Sequence, residues 1–316
     1  MTTPGPDTQA RPNPWPALPL DGWKETYATL HMWTQVVGKT RLALAPMQNH
    51  WWQVTFYVTE RGLTTSAMPA GNRSVAVEFD FIDHQLYVRT SDDLRASVPL
   101  RPQSVADFYR AYMKALRAVE VDVRIWPVPV EVETAIPFAE DTRHASYDCD
   151  AARRCWQVMT QVHRVLERFR GQFLGKASPV HFFWGAFDLC ATRFSGRRAP
   201  LHAGGVPNTP DYVMHEGYSH ECSSCGFWPG GGLVDEPAFY AYAYPEPGGY
   251  STSDVLPEAA YYHDGLKEFI LPYDAVRNAA APDDALMQFL DSTYVVAAEL
   301  GNWDRKSLER ASSSRF

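Results

Sequence analysis

Cys155, Met159, Val162, Leu166, Phe169 and Phe173 recur at intervals of four, three, four, three and four. That spacing puts all six on one side of an α-helix about five turns long. Gly175 and Pro179 end it. A stripe so long is stable only against a partner surface, and segments of a different period supply one. Val75, Val77, Phe79 and Phe81 alternate with Ala76, Glu78 and Asp80, and Asp83-His84 turns the chain into Leu86 and Val88. This predicts a β-hairpin. The run from Phe239 to Tyr244 alternates too, and a short strand is expected at 269–271. The fold class expected is α+β: mainly antiparallel sheet, in one or two layers, flanked by amphipathic helices.

Other elements follow from the same periods. Tyr27, Leu30 and Trp33 predict a helix over 23–37, and Trp52, Val54, Phe56 and Val58 predict a strand. Ser104 with Asp107 resembles a capping box ahead of Phe108, Tyr112 and Leu116. Short strands are expected at 123–125 and 128–132, broken by Pro127 and Pro129. Pro282, Asp283 and Asp284 open a closing helix that carries Leu286, Phe289, Thr293, Val296 and Leu300. The expected organisation is a proline-rich disordered tail over 1–19, with Trp15 and Leu18 tacking its end to the body. An N-terminal α+β half over 20–135 follows, then a C-terminal α+β half over 136–310 carrying the site, and a disordered tail over 311–316. Both halves run helix, strands, helix and open their strands on His-aromatic-aromatic (His50-Trp51-Trp52, His181-Phe182-Phe183). An internal duplication would give that order, and so would coincidence.

A net charge of -8 offers no basic field for phosphates, which argues against nucleic acid and membrane surfaces as partners. No apolar run approaches the roughly 20 residues that span a bilayer. The first residues lack a signal peptide's pattern, and five cysteines make no secreted framework. A cytoplasmic location is expected, with homo-oligomerisation left open. The 13% aromatic content suits an aromatic-rich pocket and a small-molecule ligand.

The densest chemistry lies between Met214 and Pro229, which holds His215, Glu216, His220, Glu221, Cys222 and Cys225. Gly217, Ser219 and Ser223-Ser224 argue against a helix there. As a strand from Tyr218 to Cys222, it places Tyr218, His220 and Cys222 on one side and Glu221 on the other. His220 and Cys222, with His215 and Cys225 from flanking loops, form a candidate zinc set, weak because only one Cys-x-x-Cys is present. The stretch from His181 to Phe194 reads as one central strand. Asp188 lies within it, and a buried carboxylate must find a partner or take up a proton. Arg193, with Arg197 and Arg198, is a candidate anion site. The loop over 200–213 is long enough for a lid. Tyr240, Tyr242 and Tyr244 share one strand face and could stack a ring.

The strings from Gly175 to Leu189, from Thr192 to Pro200, Tyr218-Ser-His-Glu, Gly226-Phe-Trp-Pro-Gly and Phe239-Tyr-Ala-Tyr-Ala-Tyr-Pro are similar to those of an uncharacterised bacterial family. It is a domain of unknown function, and the likeness extends from Trp15 to Arg310. The resemblance implies no activity. The cysteines between Ser-His-Glu and Gly-Phe-Trp-Pro-Gly are not part of that pattern, which moves weight from zinc to His220, Glu221, Asp188 and Arg193.

The residues therefore point to an enzyme acting on a small polar or aromatic molecule by acid–base chemistry. His220, Glu221 and Asp188 are the expected catalytic groups. Arg193, Tyr240, Tyr242, Trp184, His181 and Trp228 are the expected substrate contacts. A non-catalytic small-molecule binder and an oligomeric scaffold are the alternatives.

Overall fold

The computed structural model describes residues 13–311. The outer parts of the two expected tails, 1–12 and 312–316, lie outside the described residues. From residue 13 the chain is packed. Trp15 and Leu18 are buried, and Trp15 lies edge-on to Phe239 with ring centroids 6.5 Å apart.

Helix α1 (Lys24–Leu44) outruns its expected span and is enclosed from Met32 to Arg41 without a break. A helix covered on all sides belongs to an interior rather than a surface. Its polar residues Gln35 and Lys39 are thereby carried inside. Strands β1 (Tyr57–Val58), β2 (Gly62–Thr64), β3 (Met68–Ala70), β4 (Arg73–Asp80), β5 (Gln85–Thr90) and β6 (Arg95–Pro99) form one antiparallel sheet. The expected hairpin is β4 with β5, with Val77 opposite Val88 and Phe79 opposite Leu86. Helix α2 (Val105–Ala118) starts on the expected cap, where the Ser104 hydroxyl accepts the Asp107 N–H at 3.0 Å.

The second half holds α3 (Cys149–Gly171), β7 (His181–Phe183), β8 (Asp188–Arg198), α4 (Asp211–Gly217), β9 (His220–Trp228) and β10 (Ala238–Tyr244). Then come β11 (Tyr261–His263), β12 (Glu268–Pro272), α5 (Tyr273–Arg277), α6 (Pro282–Leu300) and α7 (Arg305–Leu308). Its sheet is antiparallel, in the order β11-β12-β10-β9-β8-β7. The first sheet orders its strands differently, so a duplication is not shown. One apolar core joins the halves, running from Trp33, Phe79 and Phe108 to Phe169, Phe239 and Leu290.

Three expectations change. The strand expected around Trp52 is mostly a distorted 3-10 segment, Asn49–Val54, with His50 and Trp51 left-handed. Residues 123–132 form no strand; Pro127 and Pro129 lack the N–H a ladder needs. The stretch 181–194 is a tight hairpin rather than one strand. Residues 184–187 turn, Phe187 takes a positive φ, and Phe183 pairs with Asp188.

Trp33 stacks between Phe108 and Tyr147, with centroids 4.7 and 5.3 Å away, and is fully buried. Trp33→Ala is expected to cost about 3–5 kcal/mol, read as a lowered midpoint in urea unfolding.

Candidate functional site

Strands show alternate residues to opposite faces. In the second sheet, register aligns one set of them into a floor. Cys190 pairs across Gly226 to Tyr240, and Thr192 across Ser224 to Tyr242. Asp188, Cys222, Trp228 and Glu268 share this face, and all line one cavity of about 1060 Å³. Its other walls are Lys39 of α1, His50 to Trp52, Trp126, Val128 to Glu131, Trp184, Asn208 to Pro210 and Tyr212 to Met214. The volume suits a small organic molecule.

Two glycines make close approaches possible. A Cβ on Gly226 would meet the Tyr240 hydroxyl at 2.6 Å. Without one, Tyr240 reaches across β9 and donates its O–H to Asp188 on β8. A Cβ on Gly185 would overlap the Glu131 carboxylate. Glu131 itself takes a positive φ, as do His50, Trp51 and Asn208 among the lining residues. Sparsely populated backbone of this kind gathers where surrounding structure imposes it. Here the restraints are visible. The Gln35 side chain donates to the Val130 carbonyl and accepts the Val130 N–H, both at 2.8 Å. The Glu131 N–H donates to the Pro207 carbonyl at 2.9 Å, and the Asn208 amide to the Val132 carbonyl at 2.6 Å.

Three carboxyl groups line this cavity, Asp188 and Glu268 partly buried and Glu131 more exposed. Burial raises Asp188 to about 6, held back by the Tyr240 hydrogen bond. Burial, and then the Asp188 charge, raises Glu268 to about 8. Glu131 is raised to about 7 by the same two causes, with Lys39 opposing. Solvent reaches Glu131 from the open cavity, while protein crowds its remaining sides. Lys39 is lowered to about 8, because burial outweighs the attraction of Glu131. Near neutral pH the cavity thus holds a mainly ionised Asp188 beside a mainly protonated Glu268. Their titrations are linked through the Asp188 charge.

Of the expected site residues, Asp188, Trp184, Trp228, Tyr240, Tyr242 and Cys222 line the cavity. Tyr242 shares a 2.9 Å hydrogen bond with the Tyr218 hydroxyl. The rest are corrected. Arg193 lies on the sheet's opposite face, buried against Phe169 and Tyr294 and donating to the Phe169 carbonyl. Glu221 also faces away from the cavity. It accepts from Ser195 at 2.8 Å and pairs with Arg197 at 2.7 Å, an ordinary structural bridge. His181 is fully buried between Trp52 and Phe183, with no hydrogen bond to either ring nitrogen among the described residues. Burial and nearby arginines push it down to about 3, so it stays neutral and inert. His220 stands outside the cavity lining, edge-on to His50 at 5.7 Å.

The zinc set does not assemble. His215 sits on the short helix α4, where a loop was expected, and His220 opens β9. Cys222 faces the cavity, while Cys225 points to the other side and donates to the Ala191 carbonyl. Among the described residues no three His, Cys, Asp or Glu side chains cluster to hold a metal ion.

Sequence reasoning missed Lys39, His50, Glu131 and Glu268. His50 is pinned as a neutral ring: Nδ1–H donates to the Gly217 carbonyl at 2.8 Å, and Nε2 accepts from Lys176 at 2.7 Å. Glu268 had a legible signal, since it shares a strand face with Ile270 beside the apolar Phe269-Ile270-Leu271.

Fold and site define an α+β protein whose second antiparallel sheet floors an acidic, aromatic-walled cavity. Residues 15–310 match a family of unknown function, DUF5996, and the chain belongs to that family. Neither a curated protein nor a solved structure matches it. Among the described residues no helix is long and apolar enough to cross a membrane.

A carboxyl whose folded-state proton affinity is raised favours folding at low pH. That contribution is lost as pH rises from its unfolded value, about 4, through its folded one. For Glu268 this window runs from about 4 to about 8. Glu268→Gln is therefore expected to raise the thermal unfolding midpoint over wild type by an increment that grows from pH 5 to pH 9. Parallel melting curves at the two pH values check this.

Proposed function

We propose that the protein is an enzyme performing acid–base chemistry on a small polar or aromatic molecule held in this cavity. The observation that carries the reading is a pair of carboxyl groups lining one cavity, Asp188 hydrogen-bonded by Tyr240 and Glu268 without a partner among the described residues, settings that part their proton affinities. Such separation is how one site keeps a base and an acid ready at the same pH. Asp188 takes a proton from the substrate, and Glu268 supplies one. Tyr240 orients Asp188 by its hydrogen bond and steadies its charge. Tyr240 and Tyr242 lie nearly parallel, 6.2 Å apart, and with Trp184 and Trp228 offer flat apolar surfaces to a ring.

The same aromatic walls support the second reading, a protein that binds a small molecule without converting it. The two part on turnover. Incubating the protein with a library of small aromatic acids, amines, carbonyl compounds and phenols, followed by mass spectrometry, reads both outcomes. The enzyme reading expects a compound consumed by wild type and spared by Asp188→Asn and Glu268→Gln, with losses of roughly 10²-fold or more. It also expects a bell-shaped rate profile near neutral pH. Compounds that bind and return unchanged would establish the binder instead.

A further inference from the structure

Lys39 has no role in the chemistry just described, and its setting is unusual for a lysine. The sequence contains six. Lys24, Lys114, Lys176, Lys267 and Lys306 are exposed, while Lys39 is 3% exposed, on the enclosed stretch of α1. It lines the cavity, and its Nζ makes no hydrogen bond or ion pair among the described residues. Its Nζ stands 5.5 Å from the centroid of the Trp184 indole. Trp184 is itself fixed, donating its N–H to the Val54 carbonyl at 2.6 Å and lying over Gly38, where a Cβ would collide with it. The Lys39 stem is buried while its Nζ opens to the cavity without a protein partner, which leaves the amine free to meet a ligand there.

We propose that Lys39 is a carbonyl-reactive amine, forming an imine with the aldehyde or ketone group of a small aromatic or apolar compound in the cavity. The assignment rests on reading the cavity as a small-molecule site. Its lowered proton affinity leaves a usable fraction of free amine near neutral pH. The free amine's lone pair attacks the carbonyl carbon, forming a C–N bond while the C=O π pair moves to oxygen. The nitrogen gives up a proton to ionised Glu131, a carboxylate of the same cavity whose charge acts on it. Protonated Glu131 returns that proton to the alkoxide, giving the carbinolamine; it then takes the second N–H proton and passes it to the hydroxyl, which leaves as water as C=N forms. The balance is amine plus carbonyl giving imine plus water, with no oxidant or reductant. Gln35 lies one helical turn before Lys39 and holds the Val130 backbone, so the same helix supplies the amine and positions its carboxylate.

The test is reductive trapping of the full chain with benzaldehyde and cyanoborohydride at pH 7, followed by peptide mapping. The five exposed lysines serve as internal references. Labelling of Lys39 is expected to outpace each of them by about tenfold or more, because its free-amine fraction is larger. Glu131→Gln should slow labelling at Lys39 without slowing it at the other five. Lys39→Met removes a buried charge and keeps the chain's bulk, so it should fold and lose only the cavity label. Labelling spread over the exposed lysines with Lys39 spared overturns the proposal. If benzyl alcohol still quenches cavity tryptophan fluorescence in that event, the small-molecule reading survives and only the amine assignment falls. If it does not, both fall.

Discussion

The register of β8 against β9 and β10 decides what the cavity contains. As paired, the second sheet turns Asp188, Thr192, Ser224, Tyr240 and Tyr242 to one side. Arg193, Cys225 and Ala241 go to the other, against α3 and α6. A slip of one residue would exchange the sets, and strands with one buried face resist that strongly. The cost of the present register is polar groups held in a poorly solvated space. Their raised proton affinities record that cost, and acid–base chemistry can use it.

Helix α1 completes the enclosure from above. Because Met32 to Arg41 is interior throughout, the helix delivers Gln35 and Lys39 to the same region one turn apart. Gln35 satisfies both polar groups of the Val130 peptide, in a segment whose prolines prevent a sheet from doing so. Glu131 is held in a left-handed conformation as a result, and the missing side chain of Gly185 leaves room for its carboxylate. Gly226 does the same for Tyr240. The cavity is thus assembled from small omissions in the sheet and its hairpin as much as from the groups it displays.

The α+β class, the β4–β5 hairpin, the Ser104 cap and the long helices were legible because period and capping are local properties. Asp188 was legible for a related reason, as a carboxylate amid residues that must be buried. The tight hairpin after His181 was not, since Trp184 to Phe187 carries little turn chemistry beyond Gly185. Reading that stretch as one strand hid the pairing that sets Phe183 opposite Asp188 and His181 opposite Cys190. Arg193 and Glu221 drew attention as charges near a suspected site, yet each faces away from it and meets a partner there. Lys39 and Glu131 escaped notice because only tertiary structure brings them to one cavity, across some ninety residues of chain.

Burial raises Asp188, Glu131 and Glu268 above ordinary carboxyls around one shared space. Carbon-13 NMR of the side-chain carboxyls, assigned by single Asp→Asn and Glu→Gln replacements, reads this directly. The account predicts three resonances moving between about pH 6 and pH 8, in the order Asp188, Glu131, Glu268, with Asp188→Asn bringing the two glutamates down. Three resonances that all complete their movement below pH 5, each indifferent to loss of the others, would contradict it.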